Sequence, residues 1–367
     1  MAAVNVGGRA IGSTRGRWSR IGSGGGSKAA VLLPTLTVLL IAAALLSVGS
    51  GAVAISPAQV VAILLSKVGI VTDTAYSAQQ AAVLWNIRLP RVVLAVLVGG
   101  GLAISGAALQ GIFRNPLTDP GLIGVSSGAA LGAVGAIIFG LTALGAFVLP
   151  IAAFIGGLLA TLFVYGLARH GGRAEIVTLL LTGIAVNAIC GAATGFLIFY
   201  ASDAQLRSIV FWSFGSLGGA TWRATLAVAP LIIVGTVLLP RWSRALNLLS
   251  LGEREARHLG VETERVRLVL IVLTALITGA AVAVCGTIGF IGLIVPHLLR
   301  LIAGPDHRTL LPASALGGAV LLTLADCFSR TVASPVEIPI GVITALAGGP
   351  FFLWLLCRTR RTHGGWG

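Results

Sequence analysis

Asp326 and Arg330 sit four residues apart in the apolar run "LLTLADCFSRT" (321–331). That spacing puts a carboxylate and a guanidinium on one helical face, where they pair. Ionisable groups at membrane depth commonly serve ion relays, but a proton- or sodium-driven carrier needs more of them than one acid. Glu175, at the mouth of the run 176–200, is the nearest addition. Hydrolysis needs a nucleophile–base pair or a metal. The five histidines, His170, His258, His297, His307 and His363, fall at run ends or in loops with no partner at ligand spacing. Cys190, Cys285, Cys327 and Cys357 form no C-x-x-C pair and read as small hydrophobes. "GSGGGSKA" (22–29) imitates a phosphate loop, yet Ser27 stands where glycine is required, Ala29 where Ser or Thr is, and no strand precedes it. ATP is therefore not bound there, and the residues indicate neither an enzyme nor a metal site.

Charge is concentrated elsewhere. "LGEREARHLGVETERVR" (251–267) contains four of the eleven acids, and its punctuation is apolar: Leu251, Ala256, Leu259 and Val261. The pattern reads as a short helix broken at Gly260, with Ser250 as cap and Glu253 three residues on, a capping-box spacing. Mixed charge with an apolar stripe fits docking to a soluble partner; a loop tucked against its own helices fits the pattern too.

The elements that position these residues are apolar helices. Hydrophobic residues make up 56% of the 367 and charged residues 10%, against about a quarter charged in soluble domains. Runs of about 20 apolar residues, enough to cross a bilayer, recur without the alternation of a β-barrel. The fold class is all-α polytopic membrane protein. Ten spans are predicted, near 29–49, 91–112, 122–141, 146–168, 176–200, 223–240, 268–286, 287–302, 310–329 and 340–357, the seventh and eighth meeting at "CGTIGF". With the N-terminus inside, nineteen of the twenty-five Lys and Arg fall on the cytoplasmic side, a positive-inside pattern with both termini cytoplasmic. Lys67, Arg88, Arg91, Arg207, Arg223 and Arg330 remain outside. The same bias explains the net charge of +14 without nucleic acid. Residues 1–28, rich in Gly, Ser and Arg, read as a disordered tail, 29–358 as the membrane domain with a cytoplasmic loop at 241–267, and 359–367 as a second tail. The run 29–48 is too long for a signal-peptide core. Gly124, Gly128, Gly132, Ala136 and Gly140 fall four apart and predict a helix–helix seam; "ISPAQVVAILLSK" (55–67) predicts an amphipathic surface helix.

Three segments together carry a family resemblance: the 251–267 loop, "RLPRVVLAVLVGGGLAISGAALQGIFRNPLTDPGLIGVSSGAALGA" (88–133) and "GTIGFIGLIVPHLLRLIAGPDHRTLLPASALGGAVLLTLAD" (286–326). The chain resembles the FecCD permeases of ABC importers for iron siderophores, haem and vitamin B12, over residues 30 to 358. The resemblance implies a type II ABC importer permease fold with ten transmembrane helices per subunit. It implies a homodimer in the bacterial inner membrane, two ATPase subunits that bind ATP and Mg2+, a periplasmic binding protein, and no cofactor on this chain. It makes Leu251, Gly252, Glu253, Arg254, Ala256, Arg257, Leu259 and Gly260 the ATPase coupling residues, and Arg88 and Arg330 the outer cations that dock the binding protein. Asn115, Pro116 and Leu117, with Ile176 and Val177, match the inner gate. The family's small hydroxyl residues at the second gate are missing here. The fifth and tenth helices are expected to line the pathway, with Arg207 meeting an anionic substrate. "AVLWNIRLPR" and "SGAALQGIFRNPL" resemble haem permeases most, with ferric siderophore and then vitamin B12 as the alternatives, and an ion-coupled carrier as the rival class. No histidine is placed on the outer face or in the pathway, so iron ligation by this chain is not expected.

Overall fold

The computed structural model describes residues 24–363 apart from positions 52, 71, 171, 172 and 335. Fifteen α-helices follow one another: α1 (Gly24–Gly49), α2 (Pro57–Lys67), α3 (Ala78–Val83), α4 (Leu89–Phe113), α5 (Val125–Ile138), α6 (Val148–Leu167), α7 (Ile176–Phe199), α8 (Asp203–Ser213), α9 (Trp222–Leu238), α10 (Ser243–Leu251), α11 (Glu253–His258), α12 (Thr263–Cys285), α13 (Ile291–Ala303), α14 (His307–Thr331) and α15 (Ile340–His363). A two-residue hairpin, Arg169–His170 with Arg173–Ala174, links α6 to α7.

The centre of the molecule is a rod. A π-turn at Leu84–Arg88 joins α3 to α4, so that 78–113 is one helix of 36 residues. At 1.5 Å per residue it is about 54 Å long, well beyond the ~30 Å hydrocarbon core. The predicted span 91–112 is its buried part. Here Gly99, Gly100, Gly101, Ala103, Gly106 and Ala107 leave little side chain, and α9, α12, α13 and α14 close around the backbone. α1 lies on the outside of α14; α5, α6 and α7 form a flank that joins the centre through α12.

Length and composition qualify seven stretches as membrane-crossing: α1, the 78–113 rod, α6, α7, the 222–251 stretch, α12 and α14. Each of the ten predicted runs coincides with a helix, but three are short. α5 has 14 residues, α13 has 13, and the apolar part of α15 is Ile340–Trp354. Thirteen residues reach only about 20 Å. "CGTIGF" is indeed a break, with Gly286 and Phe290 both at positive φ (71° and 69°). α1 begins at Gly24, inside the segment predicted as a tail, and α15 runs to His363; residues 1–23 and 364–367 of the predicted tails lie outside the described residues.

The glycine stripe is a seam between α5 and α6. A Cβ on Gly128 would stand 2.4 Å from the Gly156 carbonyl oxygen, and one on Gly132 would stand 2.2 Å from that of Ala152. Gly140 is not part of it, having open space around it in the turn after α5. α2 is the predicted amphipathic helix: Ser56 and Gln59 form a capping box, and Val60, Ala62 and Ile63 are buried. Gln80 of α3 ties it down by donating to Gln59 Oε1 and to the Ala54 carbonyl. Lys67 ends α2 with its ammonium 5.4 Å from the centre of the Trp85 ring.

Candidate functional site

The charged stretch forms two short helices at one end of the bundle. α10 buries Leu246 and Leu249 in the main core, and α11 buries Ala256. Gly252, at φ 138°, turns the chain between them. A Schellman motif ends α11: Val261 N donates to the Ala256 carbonyl, Gly260 N donates to that of Arg257, and Gly260 takes the left-handed conformation at φ 85°. The predicted break at Gly260 is present. The predicted Ser250 cap is not, because α10 extends to Leu251 and Ser250 Oγ donates to the Asn247 carbonyl inside it; Gly252 is the N-cap of α11 and has no side chain to offer.

Many of the charges neutralise one another. Glu253 pairs with Arg257 in a short contact and with Arg267 at 3.2 Å; Arg267 also pairs with Glu264 at 2.6 Å. Arg257 Nε donates to Thr263 Oγ1 at 3.0 Å. This network fixes α11 to the first turn of α12. Leu251 and Leu259 are 65% and 59% exposed, and Arg254, Glu255 and His258 are exposed beside them. The loop is partly tucked against its own helices and partly uncovered: Leu246, Leu249 and Ala256 are buried, while Leu251 and Leu259 face outward. Next to Leu259 a groove of about 600 Å³ is lined by Arg241, Trp242, Arg244 and Arg265.

α10 is also locked to α14. Asn247 Oδ1 accepts from the backbone N and from Nδ1 of His307, at 2.9 and 2.8 Å, and Asn247 Nδ2 donates to Asp306 Oδ1 at 2.6 Å. That geometry fixes a proton on His307 Nδ1. Asp306 caps α14 through the Arg308 backbone N–H. Partial burial would raise its carboxyl pKa, but the bonds from Arg308 N and Asn247, with the nearby Arg308 charge, hold it below the ordinary 3.8.

The opposite end carries a buried ionic cluster. Asp326 is fully buried and accepts from Arg91 Nε at 2.9 and 3.2 Å. Arg91 also grips Glu337 bidentately, at 2.8 and 3.0 Å. The predicted Asp326–Arg330 pair exists at 3.6 Å, but it is secondary to Arg91. Arg330 donates to the Ser50 carbonyl at 2.8 Å and to the Ser47 carbonyl, and Arg88 donates to the carbonyls of Val48, Gly49 and Val53. These carbonyls belong to the C-terminus of α1 and the turn after it. Arg88 and Arg330, predicted as outward cations, thus cap α1, Arg88 buried and Arg330 half-buried; the orphan carbonyls of a helix end attract such donors. Arg91 and Glu337 were not singled out in the sequence.

Asn115, Pro116 and Leu117 form the turn after α4, at the α10–α11 end. Arg114 takes a left-handed conformation (φ 50°), and Asn115 Oδ1 accepts from Leu117 N at 2.9 Å. Ile176 and Val177 open α7 at the same end, where Leu117 and Val177 are exposed. α7 presents much of its apolar surface outward, ending in Phe196, Phe199 and Tyr200. Arg207 is exposed on α8. Among the described residues no group of His, Cys, Asp and Glu could hold a metal ion.

The sequence from 39 to 358 matches the model of the FecCD transport family. The hemin transport system permease protein HmuU of Yersinia pestis is 52% identical over 284 residues, 76% of this chain and 84% of that one. The cobalamin import system permease protein BtuC of Halobacterium salinarum is 48% identical over 272 residues, 74% of this chain and 72% of that one. A solved structure of a chain assigned to the metal-chelate type of ABC transporter, in an inward-facing conformation, superposes with a TM-score of 0.79 at 35% identity, covering 89% of this chain and 99% of that one. On a match this long and with relatives this similar, the chain belongs to the FecCD transport family and is an ABC importer permease subunit with no catalytic activity of its own.

Proposed function

We propose that this permease imports haem, received from a periplasmic binding protein and passed between two copies of the chain as ATP is hydrolysed on two partner subunits. The α10–α11 end is then cytoplasmic, as are both termini, in the inner membrane of a bacterium; the excess of Lys and Arg at that end supports this orientation. Leu251 and Leu259 enter the ATPase, the arginines of the adjoining groove meet its acidic groups, and ATP with Mg2+ stays on that partner. Asn115–Leu117 and Ile176–Val177 meet their counterparts in the second copy as the inner gate. Arg207 of each copy faces a propionate of the cargo, the kind of carboxylate that a guanidinium binds bidentately.

The observation that carries haem as cargo is the 52% identity to a hemin permease. Vitamin B12 is the second reading, because the cobalamin permease stands at 48%. The test is uptake into proteoliposomes holding the chain with its ATPase, each cargo presented on its cognate binding protein. ATP-dependent haem uptake that exceeds cobalamin and ferric siderophore uptake supports the proposal. Faster cobalamin uptake overturns the cargo, and uptake driven by an ion gradient without ATP overturns the mechanism.

A further inference from the structure

Six cations sit at the end opposite α10–α11, against the positive-inside trend, and the structure accounts for four. Arg88, Arg91 and Arg330 have the partners described above, and Lys67 lies over Trp85. Arg207 and Arg223 have no ion pair or side-chain hydrogen bond among the described residues. Arg223 differs from Arg207 in its surroundings, because it lines the mouth of a deep apolar groove.

The groove runs between α6 and α9, each of which packs on α12. Its volume is about 520 Å³, within the roughly 300–1,000 Å³ of ligand pockets. Phe147, Ile151 and Phe154 form one wall and Leu231 the other, while Ala280 and Ala283 make a floor too small to fill it. From Thr221 to Leu231 it descends ten residues of α9, about 15 Å. That is half of a ~30 Å hydrocarbon core, the depth of one leaflet. Beyond Arg223 and Thr221 at the mouth, every lining side chain is apolar. Thr221 is already occupied in capping α9, where its Oγ1 accepts from Ala224 N at 3.2 Å.

We propose that this groove binds one acyl chain of an anionic phospholipid whose phosphate is held by Arg223. An apolar trough one leaflet deep fits an acyl chain, and an exposed guanidinium at its rim fits a phosphate, which Arg can bind with two parallel donors. Neither feature alone selects a ligand; together they favour a lipid of net negative charge, because the quaternary ammonium of a zwitterionic headgroup offsets the attraction of Arg223 for its phosphate. No lining residue belongs to α7, α8 or the gate turn assigned to transport, so the occupant is a resident lipid and not cargo.

The test uses the full chain purified in detergent and native mass spectrometry, with palmitoyl-oleoyl phosphatidylglycerol or phosphatidylcholine as probe. The unmodified chain retains phosphatidylglycerol about fivefold more tightly, the effect of one cation near a lipid surface. Arg223→Gln removes that preference while leaving chain binding. Ala227→Phe, an exposed lining position on α9, blocks retention of both lipids. The melting temperature of each variant without added lipid stays at the parent value, which separates site loss from misfolding. Equal retention of the two lipids by the parent chain, or a preference that survives Arg223→Gln, overturns the proposal. So does an Ala227→Phe chain that keeps both lipids but loses its dimer, because a second copy would then be the occupant.

Discussion

At the scale of single residues, Arg91 matters most to the far end of the bundle. It joins α4 to Asp326 of α14 and to Glu337 in the segment before α15. Replacing one member of a buried pair leaves the other charge unpaired in a medium that solvates it poorly, at a cost of about 3–5 kcal/mol. Arg91→Met is therefore expected to lower unfolding stability in detergent by that order. The double variant Arg91→Met with Asp326→Asn should recover part of the loss, because both charges are then gone. A single variant as stable as the parent would remove Arg91 from this role. Arg88 provides a second discrimination. As a docking cation its loss would weaken binding-protein association and leave stability alone. As the donor to three carbonyls near the end of α1, Arg88→Gln should cost about 1–3 kcal/mol of stability, the penalty for buried acceptors left without a donor, read by thermal unfolding of the isolated permease. Sequence reading found Asp326 and Arg330 because four residues of one helix suffice to bring them together. It missed Arg91 because that contact spans 235 residues and exists only once α4 and α14 have packed.

At the scale of elements, packing depends on small residues and hydrogen-bonded helix ends. Gly132→Ala sets a methyl 2.2 Å from the Ala152 carbonyl oxygen and must part α5 from α6, at about 1–3 kcal/mol. Gly135→Ala, one turn along with nothing within 4 Å, is expected to be neutral or slightly stabilising. Parallel melting curves check the contrast, and two equal shifts would mean that α5 is not held by this seam. The spacing of four made the seam legible in the sequence. The short length of α13 was legible too, since the predicted run 287–302 already falls below the length of a full crossing; the place of Ser250 inside α10 was not, because it depends on where α10 ends. The lock between α10 and α14 is also tertiary, and it responds to pH. The Asp306 carboxyl, held below 3.8 in the fold, stabilises the folded form above that value and loses this contribution as pH falls through its lowered value. Asp306→Asn keeps a capping oxygen but not the charge. Its stability deficit should be full above pH 3.8 and disappear under stronger acid; a deficit independent of pH would mean that the charge of Asp306 is not what matters.

At the scale of the whole molecule, α14 is the continuous link between the two ends. Its first residue is clamped to α10, and Asp326, near its last turn, is clamped to Arg91 on the central rod. On the coupling proposed above, a push on α11 would pass through α10 into α14, an element that crosses the bundle. On the proposed coupling, Leu251→Asp with Leu259→Asp changes only exposed side chains. The double variant should keep the parent melting temperature, lose co-purification with the ATPase, and abolish stimulation of ATP hydrolysis by the loaded binding protein. Glu253→Gln tests the other half of the same surface. Glu253 pairs with Arg257 and Arg267, so this change should loosen α11 from α12, lower stability by about 1 kcal/mol, and weaken stimulation more than association. On the same proposal, charge in this stretch is split between residues that hold α11 in place and residues left to meet the ATPase. If the leucine variant stayed bound to an ATPase that remained stimulated, the contact surface would have to lie elsewhere, and the arginine groove beside Leu259 would be the next place to mutate.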